Sequence, residues 1–268
     1  MTPPPAHAGV VPELVVEDVT VRFAGLVALD AVSFAVAPGS THALIGPNGA
    51  GKSTCFNVVS GVYRAASGSV RFAGAELTAA RPHEVAALGV ARTFQNIALS
   101  ARLPVRDNLM LGRHRLTRSG FVSAGLRLPS ARRESVRHGA RVAQIAEFVG
   151  VADVLATPVG LLPYGTQKRV ELARALCMEP RLLLLDEPVA GMNGEERREM
   201  AELIVSVRES LGISILLVEH DMGMVMRIAD TVTVLDFGRR IAGGPPEEVQ
   251  RDPEVIRAYL GESREGAS

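Results

Sequence analysis

Residues 46–54 read Gly-Pro-Asn-Gly-Ala-Gly-Lys-Ser-Thr, and their types and spacing suit them to hold a phosphate chain. They fit the pattern of a glycine, four residues, then Gly-Lys-Ser/Thr. Gly46, Pro47, Asn48, Gly49, Ala50 and Gly51 are expected to form a loop. Its glycines let the backbone close around phosphate where a Cβ would collide, and successive N–H groups form an anion nest. A helix opening near Gly51 adds a partial positive charge at its amino end. Lys52 can reach the β- and γ-phosphates, the Ser53 hydroxyl can hold Mg²⁺, and Thr54 completes the motif. The bland alternative is a glycine turn before an amphipathic helix, with Lys52 merely solvated.

Five further positions carry chemistry. Asp186 and Glu187 follow the run Leu182-Leu183-Leu184-Leu185. Asp186 suits Mg²⁺, usually through a water, because that ion prefers oxygen ligands and keeps its waters. Glu187 suits orienting or deprotonating a water for attack on the γ-phosphate. Two acids capping a helix that begins near Pro188 are the alternative. Gln95 and His220 each fall at the carboxyl end of an expected strand, where open α/β sheets bind ligands. Taken singly, Gln95 reads as a surface amide and His220 as a structural histidine. Phe23 ends a strand and offers a ring on which a purine could stack; an ordinary core aromatic is the other reading.

The elements around these residues follow from the hydrophobic pattern. His42-Ala43-Leu44-Ile45 and Leu182–Leu185 read as strands buried on both faces, as in a parallel sheet. Ile213–Val218 repeats the pattern. Strands are also expected from Leu14, over Ala28–Val36, Ser67–Gly74 and Val90–Phe94, with a hairpin turning near Gly238. Helices are expected over Arg81–Leu88, Val136–Phe148, Val170–Met178 and Gly194–Leu211, and two short ones in the tail, with fraying after Gly261. Residues 1–12 are Pro- and Ala-rich and read as disordered. Residues 97–160 read as a helical insertion, with Arg118–Ser130 a loop or broken helix. Eight arginines lie between Arg113 and Arg141, against one acid, Glu134. Such a face is most often solvated; contact with a partner or anionic lipid heads is the sharper alternative.

Composition narrows the classes. At 268 residues and 47% hydrophobic the chain can bury a substantial core. Lys+Arg and Asp+Glu each number 29, which argues against nucleic-acid binding by bulk charge. Cys55 and Cys177 form neither a disulfide framework nor a metal-ligand spacing. No apolar stretch approaches the length that spans a bilayer, and the opening Met1-Thr2-Pro3-Pro4-Pro5 lacks the parts of a signal peptide. Only Lys52 and Lys168 are lysines, and genome composition is the simplest account of that.

In order, the pieces are an aromatic strand end, a phosphate loop, Gln95, a helical insertion, a glycine-led helix at Leu161–Arg169, Asp186-Glu187 and His220. That order resembles the ATP-binding cassette ATPases, the motor subunits of ABC transporters, from about Leu14 to Leu260. The resemblance implies an α/β fold: a P-loop NTPase (RecA-like) core, an antiparallel β subdomain and an inserted helical signature subdomain. It implies domain limits of 1–12, 13–245 with 97–180 inserted, and 246–268 as a helical tail. It assigns a Walker A at Gly46–Thr54, an aromatic base stacker at Phe23, a Q-loop at Gln95 (also a Mg²⁺ position with Ser53 and Asp186) and a Walker B at Leu182–Asp186. Catalytic roles fall to Glu187, His220 and Gln95. The signature falls at Leu162–Thr166, where Tyr164 and Gly165 would meet the ATP of a partner subunit. Pro163 replaces the usual serine and Asn193 the usual D-loop acid.

Finer details are similar to the branched-chain (Liv-type) amino-acid transporter ATPases: Arg92-Thr93-Phe94-Gln95-Asn96, Leu162-Pro163-Tyr164-Gly165, Ala190-Gly191-Met192-Asn193 and Glu219-His220-Asp221-Met222. The resemblance implies ATP and Mg²⁺ as cofactors and a second ABC ATPase subunit arranged head to tail. It also implies two membrane-spanning permease subunits, an extracytoplasmic solute-binding protein acting indirectly, and no nucleic acid. The expected place is the cytoplasmic face of the cell membrane, peripherally, with no transmembrane segment. Rival readings are the same machine with another cargo (urea, amides or lipid), a soluble ABC ATPase outside transport, and a non-hydrolytic binding module.

Overall fold

The computed structural model describes residues 13–95, 97–117 and 129–265. The expectations for residues 1–12, Asn96 and Arg118–Leu128 lie outside the described residues. The chain divides into two units: residues 1–92, 181–187 and 201–268 form the first, and residues 93–180 and 188–200 the second.

The first unit carries two sheets. β1 (Leu14–Phe23), β2 (Leu26–Val36), β4 (Ser67–Phe72) and β5 (Ala75–Glu76) form an antiparallel sheet in the order β2-β1-β4-β5. β3 (Thr41–Ile45), β6 (Val90–Arg92), β7 (Leu182–Asp186), β8 (Ser214–Val218), β9 (Thr231–Asp236) and β10 (Arg239–Gly244) form the second, in the order β10-β9-β3-β8-β7-β6. Five of its strands run parallel, and β10 returns antiparallel to β9. Crossovers between parallel strands need long connections, and helices α1 (Lys52–Val59) and α7 (Met222–Ile228) lie in two of them.

Burial follows the run composition. In β3, Leu44 joins an apolar cluster with Leu14, Phe72, Leu182 and Leu216, together with Cys55, Phe56 and Val59 of α1. Ala43 and Ile45 join a second cluster with Val225, Val234, Val249 and Val255. Alternate side chains of one strand therefore feed two cores, as expected where both faces of a sheet are covered. A fully buried Leu or Phe contributes roughly 1.5–3 kcal/mol relative to exposure. The tail, α8 (Pro246–Arg251) and α9 (Pro253–Glu265), supplies Val249 and Val255 to that second cluster. The helix runs to Glu265, past the expected fraying at Gly261.

The second unit is helical: α2 (Pro82–Ala87) belongs to the first unit, and α3 (Val105–Gly112), α4 (Pro129–Val149) and α5 (Tyr164–Leu176) to the second. α6 (Gly194–Leu211) begins in it. On α4 the buried positions among the described residues are His138, Val142, Ile145, Ala146 and Val149, one stripe at helical spacing. Val136 and Phe148, which bounded the expected helix, are exposed. Asn108, fully buried on α3, accepts the Ser100 N–H at 2.8 Å and donates to the carbonyls of Ser100, Leu103 and Pro104. It thereby satisfies the turn that leads into the helix.

Several boundaries differ from expectation. β2 starts at Leu26, because Ala24 and Gly25 at φ 46° and 93° make a two-residue hairpin turn that needs positive φ twice. β6 ends at Arg92 rather than Phe94. The Phe94 N–H leaves the ladder and donates to the Glu171 carboxylate at 3.3 Å. α5 starts at Tyr164, not Val170, and ends at Leu176.

Candidate functional site

The loop after β3 is built on two glycines that no other residue can replace. Gly46 has φ 146°, and a Cβ there would lie 2.0 Å from the Leu235 carbonyl oxygen. Gly51 has φ 100°, and its Cβ would lie 2.7 Å from the Ala28 carbonyl oxygen. Both needs come from the protein's own backbone. Gly51 stands just before α1 in a left-handed conformation, so the first N–H groups of α1 face the loop with no side-chain cap.

Lys52 is 8% exposed and folds over this loop. Its ammonium donates to the carbonyls of Gly46 at 2.5 Å and Pro47 at 2.8 Å. The same loop thus holds the cation that a phosphate would need. Ser53, next on α1, is exposed. Pro47 is buried, Asn48 and Gly49 are exposed, and Ala50 is buried, its N–H donating to Pro47 at 3.2 Å. Thr54 is half-buried on the helix.

Neighbouring strands bring the remaining candidates of the first unit to the same sheet edge. β8 lies between β3 and β7, all parallel, so the phosphate loop, Asp186-Glu187 and Glu219-His220 all leave carboxyl ends of adjacent strands. Glu187 has φ 47°, a left-handed conformation uncommon outside glycine. Its N–H still donates to the Val218 carbonyl at 2.9 Å. Strain of this kind concentrates at functional sites. The Glu187 carboxylate lies 3.8 Å from the His220 Nδ1, with the imidazole 62% exposed. Beneath it, the fully buried Glu219 accepts the N–H groups of His220 at 3.0 Å and Asp221 at 3.3 Å. Asp221 caps α7 through Met224 at 3.0 Å. Phe23, 42% exposed at the end of β1, meets Tyr63 edge-on with centroids 5.1 Å apart.

Arg92 was not among the expected site residues. At the end of β6 it donates to Asp186 Oδ2 at 2.9 Å, Asn57 Oδ1 at 2.7 Å and Ser60 Oγ at 2.9 Å. Its guanidinium carbon sits 5.6 Å from the Phe56 ring centroid. It joins the Asp186 strand to α1. Sequence offered one signal, an arginine inside a short apolar strand that leads to Gln95. Among the described residues, no group of three or more His, Cys, Asp or Glu side chains is arranged to hold a metal.

The second unit holds Gln95 and the glycine-led helix. Lys168, 3% exposed, donates to the Gln95 carbonyl at 2.9 Å and lies 3.8 Å from Glu171. Glu171 accepts the N–H groups of Phe94 and Ala98, and burial raises its carboxyl above the usual range. The two residues of this pair fasten Phe94, Gln95 and Ala98 to α5. Pro163 stands at the N-cap of α5, and the exposed Tyr164 ring packs over Gly191, where a Cβ would lie 3.1 Å from Tyr164 Cε1. Gly165 is buried, 2.7 Å from Glu196 Oε1 at its would-be Cβ. Asn193 Oδ1 accepts the N–H groups of Glu195 and Glu196, while Glu196 accepts that of Asn193 at 3.0 Å. This is a capping box on α6, and an amide oxygen serves it without charge.

Comparison with known proteins agrees with this geometry. A model of the family described as "ABC transporter" matches residues 29–190, and one described as "Branched-chain amino acid ATP-binding cassette transporter" matches residues 239–265. The chain is 38% identical over 252 residues to the high-affinity branched-chain amino acid transport ATP-binding protein BraF of Pseudomonas aeruginosa, covering 94% of this chain and 99% of that one. It is 39% identical over 252 residues, with the same coverage, to the protein LivG of Escherichia coli K12, which carries the same description. Among solved structures, the ADP conformation of MJ1267, an ATP-binding cassette of an ABC transporter, superposes with TM-score 0.82 at 30% identity, over 94% of this chain and 99% of that one. A nucleotide-free cassette from an ABC transporter gives 0.81 at 30% identity, over 93% and 99%.

Proposed function

The chain belongs to the ABC transporter family as one of its ATP-hydrolysing, nucleotide-binding subunits, and from that premise we propose that it drives an importer of branched-chain or other hydrophobic amino acids. The observation that carries the reading is the convergence of the Lys52 loop, Asp186-Glu187 and His220 at carboxyl ends of three adjacent parallel strands. That edge is where open α/β sheets take nucleotides. The cargo rests on relatives 38–39% identical over nearly the whole chain.

In this reading the loop N–H groups and Lys52 bind the phosphates. Mg²⁺ fits the residues present: the exposed Ser53 hydroxyl and the Asp186 carboxylate are hard oxygen donors, and the missing ligands match an ion that keeps waters and phosphate oxygens. When bound, the ion would neutralise charge on the phosphates. Gln95 would be a further ligand of that ion. Glu187 accepts a proton from the attacking water, and His220 orients the γ-phosphate region. Phe23 stacks the base. Tyr164, Gly165 and the open end of α5 serve the ATP of a second, head-to-tail ATPase subunit; with Pro163 in place of serine, backbone and helix end carry that contact. Two permease subunits bind at the membrane, which supports a peripheral position, since no described helix is long and apolar enough to cross a bilayer.

The test is the assembled transporter with Glu187→Gln. ATP binding is retained and hydrolysis falls at least tenfold, about 1.4 kcal/mol in barrier. Unchanged turnover removes Glu187 from the chemistry. Turnover stimulated by a binding protein loaded with leucine, isoleucine or valine supports the cargo; stimulation only by urea-, amide- or lipid-loaded protein replaces it.

A further inference from the structure

A basic cleft in the second unit is not used by the ATP chemistry. It encloses about 650 Å³, within the range of small-molecule sites. Arg113, Arg115, Arg137, His138, Arg141 and Glu179 line it: four guanidinium groups face one carboxylate. Arg113 is 5% exposed and fixed from three sides. It donates to His138 Nδ1 at 3.0 Å, the Cys177 carbonyl at 3.1 Å and Glu179 Oε1 at 2.7 Å. Glu179 is shared, since Arg141 Nε also lies 3.4 Å from the same oxygen. One negative charge therefore answers two guanidinium groups.

Two donors are left over. The Arg113 bond makes His138 Nδ1 an acceptor, so the neutral ring carries its hydrogen on Nε2. That atom is buried with no hydrogen-bond partner among the described residues, and its nearest carboxylate, Glu134, stands 3.7 Å away. Arg137 has no hydrogen bond or ion pair with any described residue. In sequence, residues 118–128 contain Arg118 and Arg127 and no acid.

We propose that this cleft binds a phosphate ester, with Arg115, Arg137 and Arg141 as phosphate donors around the prefixed Arg113–His138 pair. Guanidinium groups match phosphate oxygens in paired geometry. The volume exceeds a bare phosphate and leaves room for the esterified group. A soluble phosphate ester and a phospholipid headgroup share this chemistry.

The test uses the full chain with ADP in excess, so that the phosphate loop is filled. Binding of glycerol phosphate is measured by calorimetry, and binding to phosphatidylcholine vesicles with and without phosphatidylglycerol by sedimentation. The variant is Arg115→Gln/Arg137→Gln, both exposed and outside the ATP machinery; Arg227→Gln, in the other unit, controls for bulk charge. Loss of two charge-assisted contacts weakens binding about tenfold or more. Weakened glycerol phosphate binding assigns a soluble ester, and weakening confined to phosphatidylglycerol vesicles assigns a headgroup. The proposal is overturned if the parent chain binds neither probe, if the double variant binds as tightly as the parent, or if Arg227→Gln loses as much.

Discussion

Arg92→Ala is the sharpest probe of how the Asp186 strand is held. The guanidinium makes three side-chain hydrogen bonds, to Asp186, Asn57 and Ser60, and its side chain is 13% exposed against 6% for Asp186. Losing the two neutral contacts costs about 1 kcal/mol each. Removing the cation from a buried carboxylate adds about 2 kcal/mol, less than for a fully buried pair because Arg92 is not fully enclosed. The expected destabilisation is about 4 kcal/mol in the nucleotide-free protein, read by urea unfolding. Asp186→Asn removes the charge that Arg92 answers. In the double variant Arg92→Ala/Asp186→Asn about 2 kcal/mol of the loss should therefore be recovered. Arg92→Lys should fall between wild type and alanine, since one ammonium cannot reproduce the fork. If the two single changes add to within about 0.5 kcal/mol, the ion pair does not couple the residues and the reasoning fails.

Burial holds the His42 imidazole down at about 3, with Arg240 adding to the effect, while its Nε2 pairs with Thr233 at 3.0 Å. The unfolded chain takes up a proton near pH 6.5 that the folded chain refuses, so stability falls as pH drops from about 6.5 toward 3, by at most about 1.4 kcal/mol per pH unit. His42→Gln should flatten that dependence in unfolding curves taken between pH 6.5 and 4.5; an unchanged slope would mean the charge is accommodated. Burial also pushes the thiols of Cys55 and Cys177 up to about 12. Because the thiolate is the nucleophile, iodoacetamide at pH 8 should leave both unmodified in the native protein and alkylate both in urea, as mass spectrometry can count. Rapid native alkylation of either would contradict its placement.

Much of the first unit was legible because its strands advertise themselves. The four leucines before Asp186 and the run before Gly46 are buried on both faces, and no amphipathic pattern competes with that reading. The phosphate loop was legible for a similar reason: its glycines, lysine and serine have few other joint uses. Side-chain partnerships were not. Nothing in local sequence pairs Arg92 with a carboxylate 94 positions away, or Lys168 with a carbonyl 73 positions earlier. Propensity also misled at α5. Pro163, Tyr164 and Gly165 are poor helix formers, yet the helix starts there because Pro163 suits the position before the first turn and Tyr164 packs on Gly191. The short β6 has the same origin, since a buried glutamate takes the N–H that the ladder would have used.

The pair of lysines has a practical side. Lys52 and Lys168 are the only two in the chain, they are 8% and 3% exposed, and both end on backbone carbonyls. The described surface therefore presents no accessible ε-amine, and its cationic side chains other than histidine are guanidinium groups, which keep their charge across the working pH range. An amine-directed reagent would meet neither lysine until one of two segments lets go of it. Labelling at residue 52 would then clock the opening of the phosphate loop, and labelling at residue 168 the release of Gln95, as two separable signals from one mass spectrum.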